Sequence, residues 1–306
     1  MKRLLDGPAI AATLACLFAP GIAQAAPEAI TCDMVRALPL VEAGSRDAGV
    51  TFEETPDGCI VRNLVPFPET GISRWQIGML DIRGQWEAPE NPTDLAHAAP
   101  PPALSVKARD IIQIIETDDP VMNYQFRVQQ KPIAITLYFG WDPDSGIAHL
   151  AELSLAGEVL GRANLALTAR LPGDATIGDW QKADLRVESL RLFLKNHSLV
   201  ESFLIPPLLA TLPRDTDPAS LVEAYRQRFT AGVEALTDTL VSEDSKQALT
   251  AFAQDFPNPT GTFKAEIRFT EAISPLSALA ECREPPFCLE KLQARYEPAT
   301  PWQPGD

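Results

Sequence analysis

The sequence predicts an α+β protein: a long, curved, mainly antiparallel sheet in meander order, with a C-terminal group of two to three helices packed on one face. Three observations carry this. Residues 133–196 hold four successive runs with a two-residue apolar period, each pair separated by turn residues. Residues 198–256 change to periods of three and four. Two long strand patterns also change phase part-way, at Met79 and at Glu188-Ser189, where a bulge would restore the buried face.

The chain begins with Lys2 and Arg3, an apolar run from Ala9 to Pro20, and Ala23-Gln24-Ala25 before Ala26. This is the three-part layout of a secretory signal peptide, so residues 1–25 are expected to be removed after Ala25 and the protein to be periplasmic. The run is shorter than the ~20 residues a spanning helix needs, which argues against an integral membrane protein. Leu14-Ala15-Cys16 resembles a lipid-attachment site only superficially, because Thr13 stands where such sites carry leucine; lipidation at Cys16 is the disfavoured reading.

Cleavage removes two cations and one carboxylate, taking the net charge from −15 to −16. Such a chain repels phosphate backbones, and no basic stripe with aromatics counters this, so nucleic-acid binding is not expected. Four cysteines then remain, Cys32, Cys59, Cys282 and Cys288. An even count in an exported chain points to disulfides, with three connectivities open. The sequence-local pairs are preferred, Cys32 with Cys59 and Cys282 with Cys288. A zinc site is disfavoured, since no C-x-x-C and no neighbouring histidine accompany them.

The remaining 281 residues are read as one α+β domain over residues 26–281, with the sheet over 49–195, helices over 198–256 and a returning strand over 261–270. Residues 282–306 are read as a disulfide loop and tail. In order, Glu28 to Leu40 has the spacing of a short helix ended by Pro39. Val50-Thr51-Phe52 and Cys59-Ile60-Val61 flank a turn at Thr55-Pro56-Asp57-Gly58, a hairpin. Ile72 to Trp86 is a longer strand. Residues 87–102 carry five prolines and no apolar period, and read as a linker. Ala103 to Glu116 resumes a strand, and Val121 to Val128 alternates weakly through Met122, Tyr124 and Phe126. After the meander, Ser198-Leu199-Val200-Glu201 forms a capping box for a helix that Pro206-Pro207 should end. Asp217 and Pro218 open the clearest helix, whose stripe of Leu221, Tyr225, Phe229, Val233, Leu236 and Leu240 is the expected cover for the sheet. Ser242 to Phe256 is a third helix, Gly261 to Thr270 a strand that rejoins the sheet, and Pro275 to Cys282 a short helix.

These patterns together resemble something known. The alternating strand RWQIGMLDIRG (74–84), the strand-to-helix junction LRLFLKNHSLVESFL (190–204) and the closing unit ALTAFAQDFPNPTGTFKAEIRFTEAISPLSAL (248–279) are similar to uncharacterised secreted or periplasmic families of Gram-negative bacteria. More distantly they resemble AsmA-like envelope proteins. That resemblance covers residues 70–281 and implies a curved sheet bordering a lipid-accommodating groove.

Chemistry-bearing motifs are sparse. The three histidines, His97, His149 and His197, come with no partner motif, and neither a G-x-S-x-G elbow nor a cysteine beside a base occurs. Asp142-Pro143-Asp144-Ser145-Gly146 lacks the ligands of a calcium loop and reads as a turn. Asn196-His197-Ser198 fits a glycosylation sequon. No catalytic residue, metal or cofactor is therefore assigned. The expected function is a non-catalytic periplasmic envelope protein that binds a hydrophobic ligand or lipid between sheet and helices. Its candidate lining is Leu137, Phe139, Leu153, Leu155, Leu165 and Leu167 from the meander, with Phe203 and Leu208 from the apolar run Phe203 to Leu209. A protein-interaction or assembly factor using a sheet edge or the 203–209 patch, with an envelope protein as partner, is the alternative. A hydrolase in which His149 or His197 meets carboxylates comes third.

Overall fold

The computed structural model describes residues 28–45, 49–66, 73–86, 97–172, 175–176, 185–210, 217–274 and 289–299. Ten antiparallel strands follow one another in the sheet in chain order, β1 to β10, with short helices between them. The expected signal peptide, Cys282, Cys288 and the helix from Pro275 lie outside the described residues. The chain divides into two compact units; the described residues up to 158 together with 170–172 and 175–176 fall in the first, and those of 159–169 and from 185 onward in the second. Each has its own helices.

In the first unit, Thr31 caps a five-residue helix α1 (Cys32–Arg36), its hydroxyl accepting the Met34 amide at 3.3 Å. Pro39 does not end this helix as expected; it opens a second, α2 (Pro39–Gly44). Proline is favoured at a first helical position, where its missing N–H has no partner to lose. The hairpin β1 (Thr51–Thr55) and β2 (Gly58–Leu64) forms as expected. A disulfide joins Cys32 to Cys59, with Cα atoms 4.9 Å apart.

Strands β3 (Ser73–Gln85), β4 (Ala103–Ile115), β5 (Ile133–Asp142) and β6 (Ile147–Gly157) follow. Their registers line apolar residues into rows. One row runs Val61, Leu80, Ala108, Ile135, Leu155, and the next Cys59, Ile82, Val106, Leu137, Leu153. The β2 to β4 members of these rows are buried beside Val35 and Val41 of the two helices, and Ile135, Leu137 and Phe139 of β5 pack at the border. The cover of this face is thus the N-terminal helix pair, which the sequence reading had not assigned to it.

The phase change at Met79 is real but takes a different form from the expected bulge. Strand β3 keeps a continuous register with both neighbours. Instead Gly78 stands level with Asn63 on β2 and Asp110 on β4, both with left-handed backbone at φ 57° and 53°. A Cβ on Gly78 would lie 2.8 Å from that of Asp110, so glycine is required between them. The slip is taken up one strand later, between Ala108 and Ile111 in the β4–β5 pairing.

In the second unit, β7 (Gly161–Arg170), β8 (Arg186–Asn196), β9 (Gly261–Ile273) and β10 (Leu289–Pro298) carry the sheet. The β8–β9 register shifts between Val187 and Ser189, the place where the sequence predicts a bulge. Strand β10 replaces the expected tail: Leu292, Ala294 and Tyr296 alternate with charged and polar residues and pair with Ile267, Ala265 and Phe263. The buried Asn196 ends β8 and takes the capping role expected of Ser198, its side-chain oxygen accepting the Val200 amide at 3.0 Å while its amide donates to the Pro259 carbonyl at 2.7 Å. That burial also leaves the sequon's asparagine without an exposed amide.

Pro206-Pro207 does not stop the helix here. A π-helical turn (Val200–Leu204) runs directly into α4 (Ile205–Ala210), with the Ile205 amide reaching the Val200 carbonyl. In that continuous run neither proline can donate an amide, and the ladder widens to i−5 at Ile205, immediately before them. Helix α5 (Pro218–Glu234) is capped by Asp217 and packs on α6 (Glu243–Asp255), and α6 packs on β10. Of the expected stripe only Val233 is buried, while Tyr225 is 59% and Phe229 45% exposed. Arg226, from the side read as outward, is instead drawn in to donate to the Phe256 carbonyl through Nε (2.9 Å) and Nη2. The sheet strands of this unit are covered by α6, whose Phe252 stacks on Phe263 at 4.3 Å and meets the edge of Tyr296 at 5.5 Å.

Candidate functional site

An open groove lies in the first unit, at the far end of β4. Beyond Asp110 the strand continues Ile111-Ile112-Gln113-Ile114-Ile115-Glu116. Ile111 pairs with Ile77 on the face of the N-terminal core. Successive side chains alternate, so Ile112 and Ile114 stand on the other face, opposite Gln76 and Arg74.

Helix α3 (Pro120–Gln129) closes over this end. Residues 121–128 were expected as a weakly alternating strand, and the structure corrects this. The Asp119 carboxylate accepts the amides of Val121 (2.8 Å) and Met122 (3.4 Å), and Pro120 sits in the first turn. An aspartate cap followed by proline outweighs a period-two pattern over so short a run. One end of the helix is tied to β4 itself and the other to Thr117, just past the strand. Asn123 accepts the Thr117 amide (2.7 Å) and hydroxyl (2.9 Å) and donates to the Thr117 carbonyl (2.7 Å). The Gln130 side chain donates to the Gln113 carbonyl.

Between these ties lies a groove of about 500 Å³, lined on the strand side by Ile112, Ile114, Ile115 and Glu116 and on the helix side by Asn123 and Arg127. Glu116 is held by Arg74, Oε1 to Nη2 at 3.1 Å, and the Nε of Arg74 is buried without a hydrogen-bond partner. The outward side of α3 is apolar as well, with Val121, Tyr124 and Val128 each more than 60% exposed at helical spacing. The site therefore combines an apolar floor with polar groups at its rim.

The eight residues proposed from sequence fall into two sets. Leu137, Phe139, Leu153 and Leu155 are brought together in the first unit, half-buried on the face of the N-terminal core. Leu165, Leu167, Phe203 and Leu208 belong to the second, where Leu165 and Leu167 are half-buried on β7, Phe203 is 40% exposed and Leu208 lies in α4. None of the eight lines the groove. Sequence reading missed it because its helical wall was taken for a strand; Asp119-Pro120, already noted as turn or cap residues, was the signal that could have found it.

The turn at Asp142 is self-satisfied. Its carboxylate accepts the Ser145 hydroxyl at 2.7 Å and the Asp144 amide at 3.0 Å, and the Ser145 bond above all holds its pKa below the ordinary aspartate value. His97, His149 and His197 are all exposed. Among the described residues no three His, Cys, Asp or Glu side chains are grouped to hold a metal ion. No helix among them is long and apolar enough to cross a membrane. The chain matches no protein-family model and no curated protein sequence.

Proposed function

We propose that this is an exported, non-catalytic envelope protein that binds a hydrophobic ligand, and that the ligand lies between sheet and helix in the groove beneath α3. One observation carries the reading: three isoleucines of one strand line an open space of about 500 Å³. Ligand sites are commonly ~300–1,000 Å³, mostly apolar, with a few polar groups that set orientation. The slips in register at Asp110 and near Glu188, which increase local bending, are in keeping with the curved sheet of AsmA-like envelope proteins.

Native mass spectrometry of the full chain, followed by solvent extraction, tests the proposal. A co-purified apolar species is expected, lost in Ile114→Asp. Protein that carries none, and that takes up none when offered lipid, would sink it.

The second reading, an assembly factor, is favoured by the exposure of Phe203 (40%) and Leu209 (46%) around the π-helical turn. Replacing both by Asp should leave thermal stability nearly unchanged and abolish capture of an envelope partner. Unfolding of that variant would mark the patch as core.

A further inference from the structure

We infer that the occupant of the groove is a long-chain fatty carboxylate, its alkyl chain on Ile112, Ile114 and Ile115 and its carboxylate at Arg127. This deepens the apolar-ligand reading and rests on it. The lining is divided by chemistry: isoleucines on the strand wall, a guanidinium on the helix wall. A plain hydrocarbon filling that space would use only the isoleucine wall, whereas a molecule with an apolar body and one anionic end also pairs with the exposed guanidinium at the rim.

Charge settles the sign of that end. The other ionisable lining group, Glu116, is already neutralised by Arg74. Asn123 is engaged with Thr117 and Gln130 with Gln113. Arg127 has no ion pair and no side-chain hydrogen bond among the described residues, although the chain carries 41 acidic side chains against 26 basic ones. A guanidinium left unpaired at the rim of an apolar groove, in so acidic a chain, is the complement of an anion supplied from outside. Its planar fork of donors matches a carboxylate in particular.

The test titrates dodecanoate and the uncharged dodecanol into the full chain by calorimetry, with decanoate as the shorter homologue. Dodecanoate should bind one per chain, about fivefold tighter than dodecanol, the upper end of what an exposed ion pair gives. Each added methylene should tighten binding about fourfold. Arg127→Gln should erase the preference for carboxylate and leave dodecanol unchanged. Arg62→Gln, which takes the same charge from an ion pair with Glu53 on the β1–β2 hairpin, should alter neither. Equal binding of the two ligands to the wild type, or a carboxylate preference that survives Arg127→Gln, overturns the assignment of the headgroup while the apolar groove stands. Absence of binding by both, or binding that Ile114→Asp does not disturb, overturns the apolar groove itself.

Discussion

The first half of β4, Leu104 to Ala108, and the second half, Ile112 to Ile115, carry similar aliphatic residues on one strand but meet different cover. Leu104 and Val106 are 8% and 1% exposed beneath the N-terminal helices, and the space left beside Leu104 is an apolar void of about 20 Å³. The second half borders about 500 Å³ under α3. Two short helices, the first held by a disulfide, press onto the first half, while one helix tied at its two ends bridges the second. How a helix is anchored, more than how apolar its strand is, decides whether a sheet face becomes core or groove.

If anchoring is the difference, releasing the anchor should be the costliest change. Replacing Cys32 and Cys59 together by Ser opens a link between residues 27 apart in sequence. On the loop-entropy model this costs about 3.5 kcal/mol, read as a lower denaturant midpoint for the first unit. A loss under ~1 kcal/mol would show that packing of Val35 and Val41 alone holds the helices. Next comes Ile111→Ala. Ile111 is 4% exposed and belongs to the N-terminal core although it lies past the Asp110 kink. Truncating a buried isoleucine costs about 3 kcal/mol, so the same midpoint should report it, with far-UV signal retained.

The sheet was legible because its signals are local. The hairpin at Thr55 to Gly58, the runs from Ile133 to Asn196, the returning strand at Gly261 and the bulge at Glu188-Ser189 each follow from alternation and turn residues alone. Strand β10 carried the same alternation in Leu292, Ala294 and Tyr296, and proximity to the cysteine loop masked it. The helices were read less well because their faces are set by partners. Arg226 turns inward for the Phe256 carbonyl and Tyr225 turns outward, the reverse of what the stripe implied. Pairing of the apolar rows explains why Leu137 and Leu153 serve the N-terminal core. No property of β5 or β6 alone reveals which helices lie above them.

The smallest expected stability effect is the most informative about the second half of β4. Ile114 is half-buried and faces the groove, opposite Arg74. Truncating it to Ala enlarges a space that is already open and leaves no closed cavity, so the cavity term that dominates core truncations is absent. What is lost is the partial burial of a few methyl and methylene groups, under about 1 kcal/mol, a third or less of the effect at Ile111 three residues earlier. Binding should respond in the opposite order. Ile114→Ala removes contact with an alkyl chain and should weaken dodecanoate several-fold, whereas Ile111→Ala, on the core face, should leave affinity unchanged wherever the protein remains folded. Equal stability losses at the two positions would mean that the groove closes in solution and that both halves of β4 are core.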